Sequence, residues 1–314
     1  MERKVIKQGN DTLTITLPRE WTKKYNIKAG DSLGIKAKNE ILEIRNKEIN
    51  LKEPIYFDVN FNDEKLLNWT LGALYKIGFE EIHLRYSDTT IFNKIQKLIK
   101  NNLGFIITDQ EKNMCIIKNM TTDNSDNLSA LMHRSFLIAL SFAENCCDAL
   151  KKKKFSHLNN LIYLHDNTDQ IIKLCERLII KTSYADVTNS SFNLAILENL
   201  ELICDDYKDI CKFFGKIHKP SKNHKKIIGL LENINKIFEK TETLIFSYNE
   251  KEVIKILLEI KENNSRIESL YKEGNCNEII FLFYLKSISD LIKNFFPTIL
   301  LVNINQLKDK VRNV

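Results

Sequence analysis

Glu201 and Asp205 stand four residues apart in the run Leu200-Glu201-Leu202-Ile203-Cys204-Asp205-Asp206. On a helix, that spacing places both carboxylates on one face. His165 and Asp169 repeat the spacing in Leu164-His165-Asp166-Asn167-Thr168-Asp169. Two such pairs on neighbouring helices can supply oxygen and imidazole ligands to a divalent or ferric ion. The plainer reading of the same residues is a solvated acidic face, because carboxylates at this spacing are common on helices. No HExxH and no recognisable Ser–His–Asp arrangement is present. His133, His157, His218 and His224 are scattered, and Gly72 and Gly78 stand alone rather than in a phosphate-binding fingerprint. The chain is therefore not expected to be an enzyme.

A second kind of chemistry sits in the first residues. The 314-residue chain carries a net charge of +6. Residues 1–28 hold seven Lys or Arg against three acidic residues, a net of +4 within that stretch. Such a patch is an electrostatic footprint for a phosphate backbone. Arg3, Lys4, Lys7, Asn10 and Arg19 are the candidate DNA contacts. Arg and Lys would mainly meet phosphates, with an affinity that falls steeply with salt, and Arg3 or Arg19 could read a guanine edge. Lys23 and Lys24 read as solvated. So does Lys151–Lys154, which suits a cap at a helix C-terminus.

Several elements must position these groups. The run from Arg3 to Trp21 reads as a basic strand, a Gly9-Asn10-Asp11 turn, a second strand and a short helix opened by Pro18. In the second strand Leu13, Ile15 and Leu17 alternate with Thr12, Thr14 and Thr16, giving one apolar and one hydroxyl-rich face. Two further strands, about 32–38 and 40–46, meet at Asn39. Residues 51–120 read as a small α/β unit in βαβαββ order, with helices at Glu64–Ile77 and Thr89–Lys100. This unit suits a spacer or a dimerisation element.

Thr121–Asn127 is a polar boundary, and helical periodicity prevails beyond it. Six segments, 128–153, 155–182, 188–218, 222–248, 250–273 and 276–310, are separated by turns at Lys151–Lys154, Ser183, His218–Ser221 and Gly274-Asn275. They read as two copies of a three-helix unit, 128–218 and 222–310. Seven scattered cysteines without a CxxC pair suit reduced thiols in a cytoplasmic protein. No run reaches the ~18–20 apolar residues a bilayer span needs.

The run RKVIKQGNDTLTITLPREW, followed by NIKAGDSL, resembles the SpoVT/AbrB swapped-hairpin DNA-binding domain. The Leu200–Asp205 stretch resembles the LERIAD motif of PhoU proteins, where an E(D)xxxD pattern recurs in two three-helix repeats. Together the two similarities cover nearly the whole chain and resemble the archaeal phosphate-uptake regulators. The resemblance implies a multidomain α+β fold: a swapped-hairpin β-barrel over 1–50, a small α/β unit over 51–120 and a PhoU-like double three-helix bundle over 128–314. It also implies a homodimer, DNA as partner, a transporter or signalling protein as a further partner, and a role in phosphate uptake. The set that matches the family's metal motif is His165, Asp169, Glu201 and Asp205. In the second repeat the matching positions hold Glu262 with Arg266 and Lys286 with Asp290. A fixed cation there opposes metal binding, so no second cluster is expected.

Overall fold

Gly9 reverses the chain at φ 76°, a conformation that favours glycine. It does so between β1 (Ile6–Gln8) and β2 (Thr12–Thr14), which pair antiparallel with Lys7 opposite Leu13. The computed structural model describes every residue except 1, 10–11, 39–40, 47–50, 52, 122–126, 183–186, 218–221 and 304–314. Asn10, His218 and the turns expected at Asn39, Ser183 and His218–Ser221 lie outside the described residues. The chain forms two units, Met1–Leu51 and Lys52–Val314.

In the first unit, α1 (Arg19–Lys24) follows the hairpin. Pro18 sits at its N-cap, where its carbonyl accepts the Thr22 N–H at 3.0 Å. The helix is capped at Tyr25, and beyond it lies a tight turn in which the Asp31 carboxylate accepts the Lys28 N–H at 2.7 Å. A second antiparallel pair, β3 (Gly34–Lys38) and β4 (Ile41–Arg45), completes the unit. The two hairpins form separate two-stranded sheets.

The second unit begins with β5 (Ile55–Val59), α2 (Glu64–Ile77), β6 (Glu81–Tyr86), α3 (Thr89–Leu98), β7 (Phe105–Glu111) and β8 (Met114–Asn119). The sheet order is β5-β6-β8-β7, with β5 and β6 parallel and the other pairs antiparallel. Asp63 caps α2 by accepting the Leu66 N–H at 2.7 Å, and Gly78 ends it in the left-handed conformation.

The remainder is helical: α4 (Leu128–Lys151), α5 (Phe155–Leu158), α6 (Ile162–Thr182), α7 (Val187–Ile217), α8 (His224–Phe246), α9 (Glu250–Tyr271), α10 (Cys276–Lys293) and α11 (Phe295–Val302). Helices α4, α6 and α7 contact one another, as do α8, α9 and α10. The two triads meet along α4–α8 and α7–α10 and share one apolar core.

Two expected helices are broken. A 3₁₀ turn at Asn159–Leu161 separates α5 from α6; asparagine side chains compete for backbone hydrogen bonds and weaken a helix there. The last segment breaks at Asn294, because Pro297 cannot donate to residue 293 and its ring would clash with that carbonyl.

The α/β segment, expected as a separate linker, lies in the same unit as the helices. Leu174 of α6 packs against its core. All seven cysteines are unpaired, and six of them are buried. Among the described residues no helix is long and apolar enough to cross a membrane.

Candidate nucleic-acid interface and the polar cluster of the helices

The hairpin register divides the head's residues between two faces. Lys7 shares a face with Leu13, while Ile6 and Gln8 lie opposite Thr14 and Thr12 on the other. Arg3, Lys4, Lys7 and Arg19 are all exposed, as are Lys23 and Lys24. Lys24 rests on the Tyr25 ring at 5.4 Å, and Trp21 meets Tyr25 with ring centroids 5.9 Å apart.

The apolar residues are exposed too. Leu13 is 68% accessible and Ile35 65%, and Val5, Ile6, Ile15 and Leu42 are likewise open. Among the described side chains of this unit none is buried. An isolated hairpin of this size is marginally stable in water, so these side chains call for a covering surface.

In the helical part, His165 and Asp169 project from α6, and Glu201 and Asp205 from α7. The four divide into two groups. His165 Nε2 lies 2.9 Å from Asp205 Oδ1, and its Nδ1 lies 3.1 Å from Asp166. The imidazolium form donates to both carboxylates. Burial pulls the His165 pKa down, but the hydrogen bonds to Asp205 and Asp166 outweigh it and raise the value above the usual imidazole range. The same His165 hydrogen bond, aided by the Lys208 ammonium, holds Asp205 down at about 2.

Asp169 belongs to a different group. It pairs with Lys173 at 2.8 Å. Glu201 sits near it, with a carboxyl raised first by burial and then by the charge of Asp169. Glu176 of α6 pairs with Lys76 of α2 at 2.6 Å.

The expected metal set is therefore not assembled. Among the described residues no group of three or more His, Cys, Asp or Glu is placed to hold a metal ion. The physical reason is that Lys173 and Lys208 neutralise the carboxylates a cation would need. Both lysines stand at helical spacing from their acids, Lys173 four residues after Asp169 and Lys208 three after Asp205, a signal present in the sequence. In the second triad Lys286 pairs with Asp290 at 2.7 Å and Arg266 with Glu262 at 2.6 Å.

Residues 6–53 match the family model described as Antidote-toxin recognition MazE, bacterial antitoxin. The first unit carries a MazE/AbrB-like domain. The match covers Lys7, Asn10 and Arg19 and begins beyond Arg3 and Lys4. No curated protein and no solved structure matches the chain.

Proposed function

We propose that this chain is a DNA-binding transcriptional regulator, without enzymatic activity, that acts as a homodimer through its MazE-like head. The observation that carries the reading is the head itself: a family match to this class of domain, with Leu13, Ile15, Ile35 and Leu42 uncovered in a single chain. Two copies that interleave their hairpins into one β-barrel cover these side chains. They also double the positive surface formed by Arg3, Lys4, Lys7 and Arg19, beside which Asn10 is a further candidate DNA contact.

In this reading the helical part is a PhoU-like sensing or docking module for phosphate homeostasis. Support comes from the two helix triads and from the Glu201–Asp205 motif on α7. The lysine-filled polar cluster argues against a resident metal there. A second reading is favoured by the exposed apolar residues of the head, which dimerisation alone would cover. In it, the head serves only to dimerise, and the helices engage a phosphate transporter or signalling partner.

Selection of bound duplexes from a random pool, followed by anisotropy titration of the enriched sequence, separates the two. The regulator reading expects an enriched sequence whose affinity falls with salt and is lost when Arg3, Lys7 and Arg19 are replaced by Gln. Absence of enrichment, or unchanged affinity in that variant, would overturn it.

A further inference from the structure

The four lysines Lys151–Lys154 close α4 and, taken alone, suit the negative end of that helix. The fold brings a second lysine group to them. His224 Nε2 lies 3.0 Å from the Leu150 carbonyl oxygen, and its ring packs against Phe155 at 6.3 Å. The start of α8, with Lys225 and Lys226, therefore adjoins the Lys151–Lys154 turn. Lys153 is close enough for its charge to help depress the His224 pKa, after the larger effect of burial.

Two features of this cluster work against stability. Lys225 and Lys226 occupy the first turn of α8, which holds no acidic residue, and cations there oppose the helix dipole. Lys153 adopts φ 57°, a left-handed conformation at a helix end where glycine is the usual choice. The acidic residues facing the cluster neutralise only part of it. Lys151 pairs with Glu232 at 2.6 Å and Lys152 with Asp148 at 2.7 Å. Glu278 is committed to the Asn223 N–H at 2.6 Å. Among the described residues Lys153, Lys154, Lys225 and Lys226 are exposed and make no ion pair.

We infer that this end of the helical bundle is a second polyanion-binding surface, and that its ligand is the phosphate backbone of duplex DNA. The inference rests on the DNA-binding reading of the head. A bilayer surface is the poorer fit, because the neighbouring apolar residues Leu150, Phe155, Leu158, Ile227 and Ile228 are all buried and none is available to enter lipid.

The test uses the full chain and a fluorescein-labelled duplex of random sequence, titrated by anisotropy between 50 and 200 mM salt. Each phosphate contact contributes about 0.9 to the slope of log affinity against log salt. Replacing Lys153, Lys154, Lys225 and Lys226 together by Gln is expected to make the slope shallower by about two to four, with unchanged circular dichroism. A slope equal to that of the unsubstituted chain overturns the inference. The same measurement on a chain with Lys7 and Arg19 replaced by Gln keeps the two readings apart. Loss of all binding in that chain, with no effect of the bundle substitutions, leaves the head as the DNA contact and refutes the second surface. Residual binding that the bundle substitutions remove supports the second surface even if the head proves inert. Binding to phosphatidylserine vesicles that the four substitutions abolish, with the duplex slope unchanged, assigns the patch to lipid and overturns the proposal.

Discussion

The guanidinium of Arg177 on α6 donates a 2.8 Å hydrogen bond to the carbonyl oxygen of Tyr75 near the end of α2. It also reaches the Phe79 carbonyl at 3.1 Å and Glu80 at 3.2 Å, and lies 5.2 Å from the Tyr75 ring centroid. Arg177 is 0% exposed. The cost of burying this charge is offset by the two carbonyls that accept from Nη1, by the nearby Glu80 carboxylate and by the faces of the Tyr75 and Phe105 rings. The α/β segment is thereby joined to the helix that also carries His165 and Asp169.

Replacing Arg177 by Met keeps much of the side-chain volume but removes these donors. The Tyr75 and Phe79 carbonyls lose a partner, while Lys181 still pairs with Glu80. We expect a loss of about 3 kcal/mol in urea unfolding. A loss below about 1 kcal/mol would mean that water or a neighbour replaces the guanidinium without cost.

The His165–Asp205 pair gives stability a window in pH. His165 is raised in the folded state, so its contribution is complete below the ordinary imidazole value and is lost as pH rises through the raised one. Asp205 is depressed to about 2, so its contribution is present above the ordinary carboxylate value and is lost as pH falls towards about 2. Asp205 is partly exposed, which limits the pair to about 1 kcal/mol. The stability difference between the unsubstituted chain and Asp205→Asn should therefore be largest between about pH 4 and 6.5. Part of it should persist at pH 9 through the Lys208–Asp205 ion pair. Urea midpoints across pH 3–9 check this, and a difference flat with pH would show that His165 does not share a proton equilibrium with Asp205.

The helices were legible because their signals are local. Leu67, Leu71 and Leu74 recur on one face of α2, and Gly78 closes it. The breaks were harder to see. Asn159-Asn160 lies in a periodic stretch, and Pro297 acts back on a carbonyl four residues earlier. The lysines that fill the acidic cluster stand in the sequence as i+3 and i+4 partners of its carboxylates, whose own i+4 spacing is equally that of a metal site. Arg177 offered no such signal, since its partners lie about a hundred residues away and only tertiary packing brings them together. The nearness of Lys153 to His224 at the start of α8 is of the same kind.

Asp206 carries an avoidable cost. It sits on α7 near Ser287 of α10, and burial raises its carboxyl to about 6, with the charges of Asp209 and Asp205 adding to the shift. Because the folded value lies above the unfolded one, the penalty grows as pH rises from about 4 through about 6. Asp206→Asn should stabilise the protein by about 1–2 kcal/mol at pH 8, and the gain should shrink steadily below about pH 6 and vanish at about pH 3. Destabilisation at pH 8 would mean that the ionised carboxylate is needed between α7 and α10.

The polar cluster predicts an outcome for metals. With Lys173 and Lys208 beside the carboxylates, Mn²⁺ or Fe³⁺ should leave the thermal midpoint unchanged, and so should chelation. A midpoint that rises with metal and returns in Glu201→Ala would show that the lysines move aside for a cation.

Leu13 tests the head most directly. It is exposed in one chain and lies opposite Lys7. If a second copy covers it, Leu13→Asp places a charge in an apolar interface, where an unpaired carboxylate costs several kcal/mol. Sedimentation velocity should then show monomers at concentrations where the unsubstituted chain is dimeric, and duplex affinity should fall with the loss of the joint basic surface. Lys23→Gln, on the exposed side of α1, should leave the dimer intact. A Leu13→Asp chain that stays dimeric would place the dimer contact outside the hairpin and remove the main support for interleaved heads.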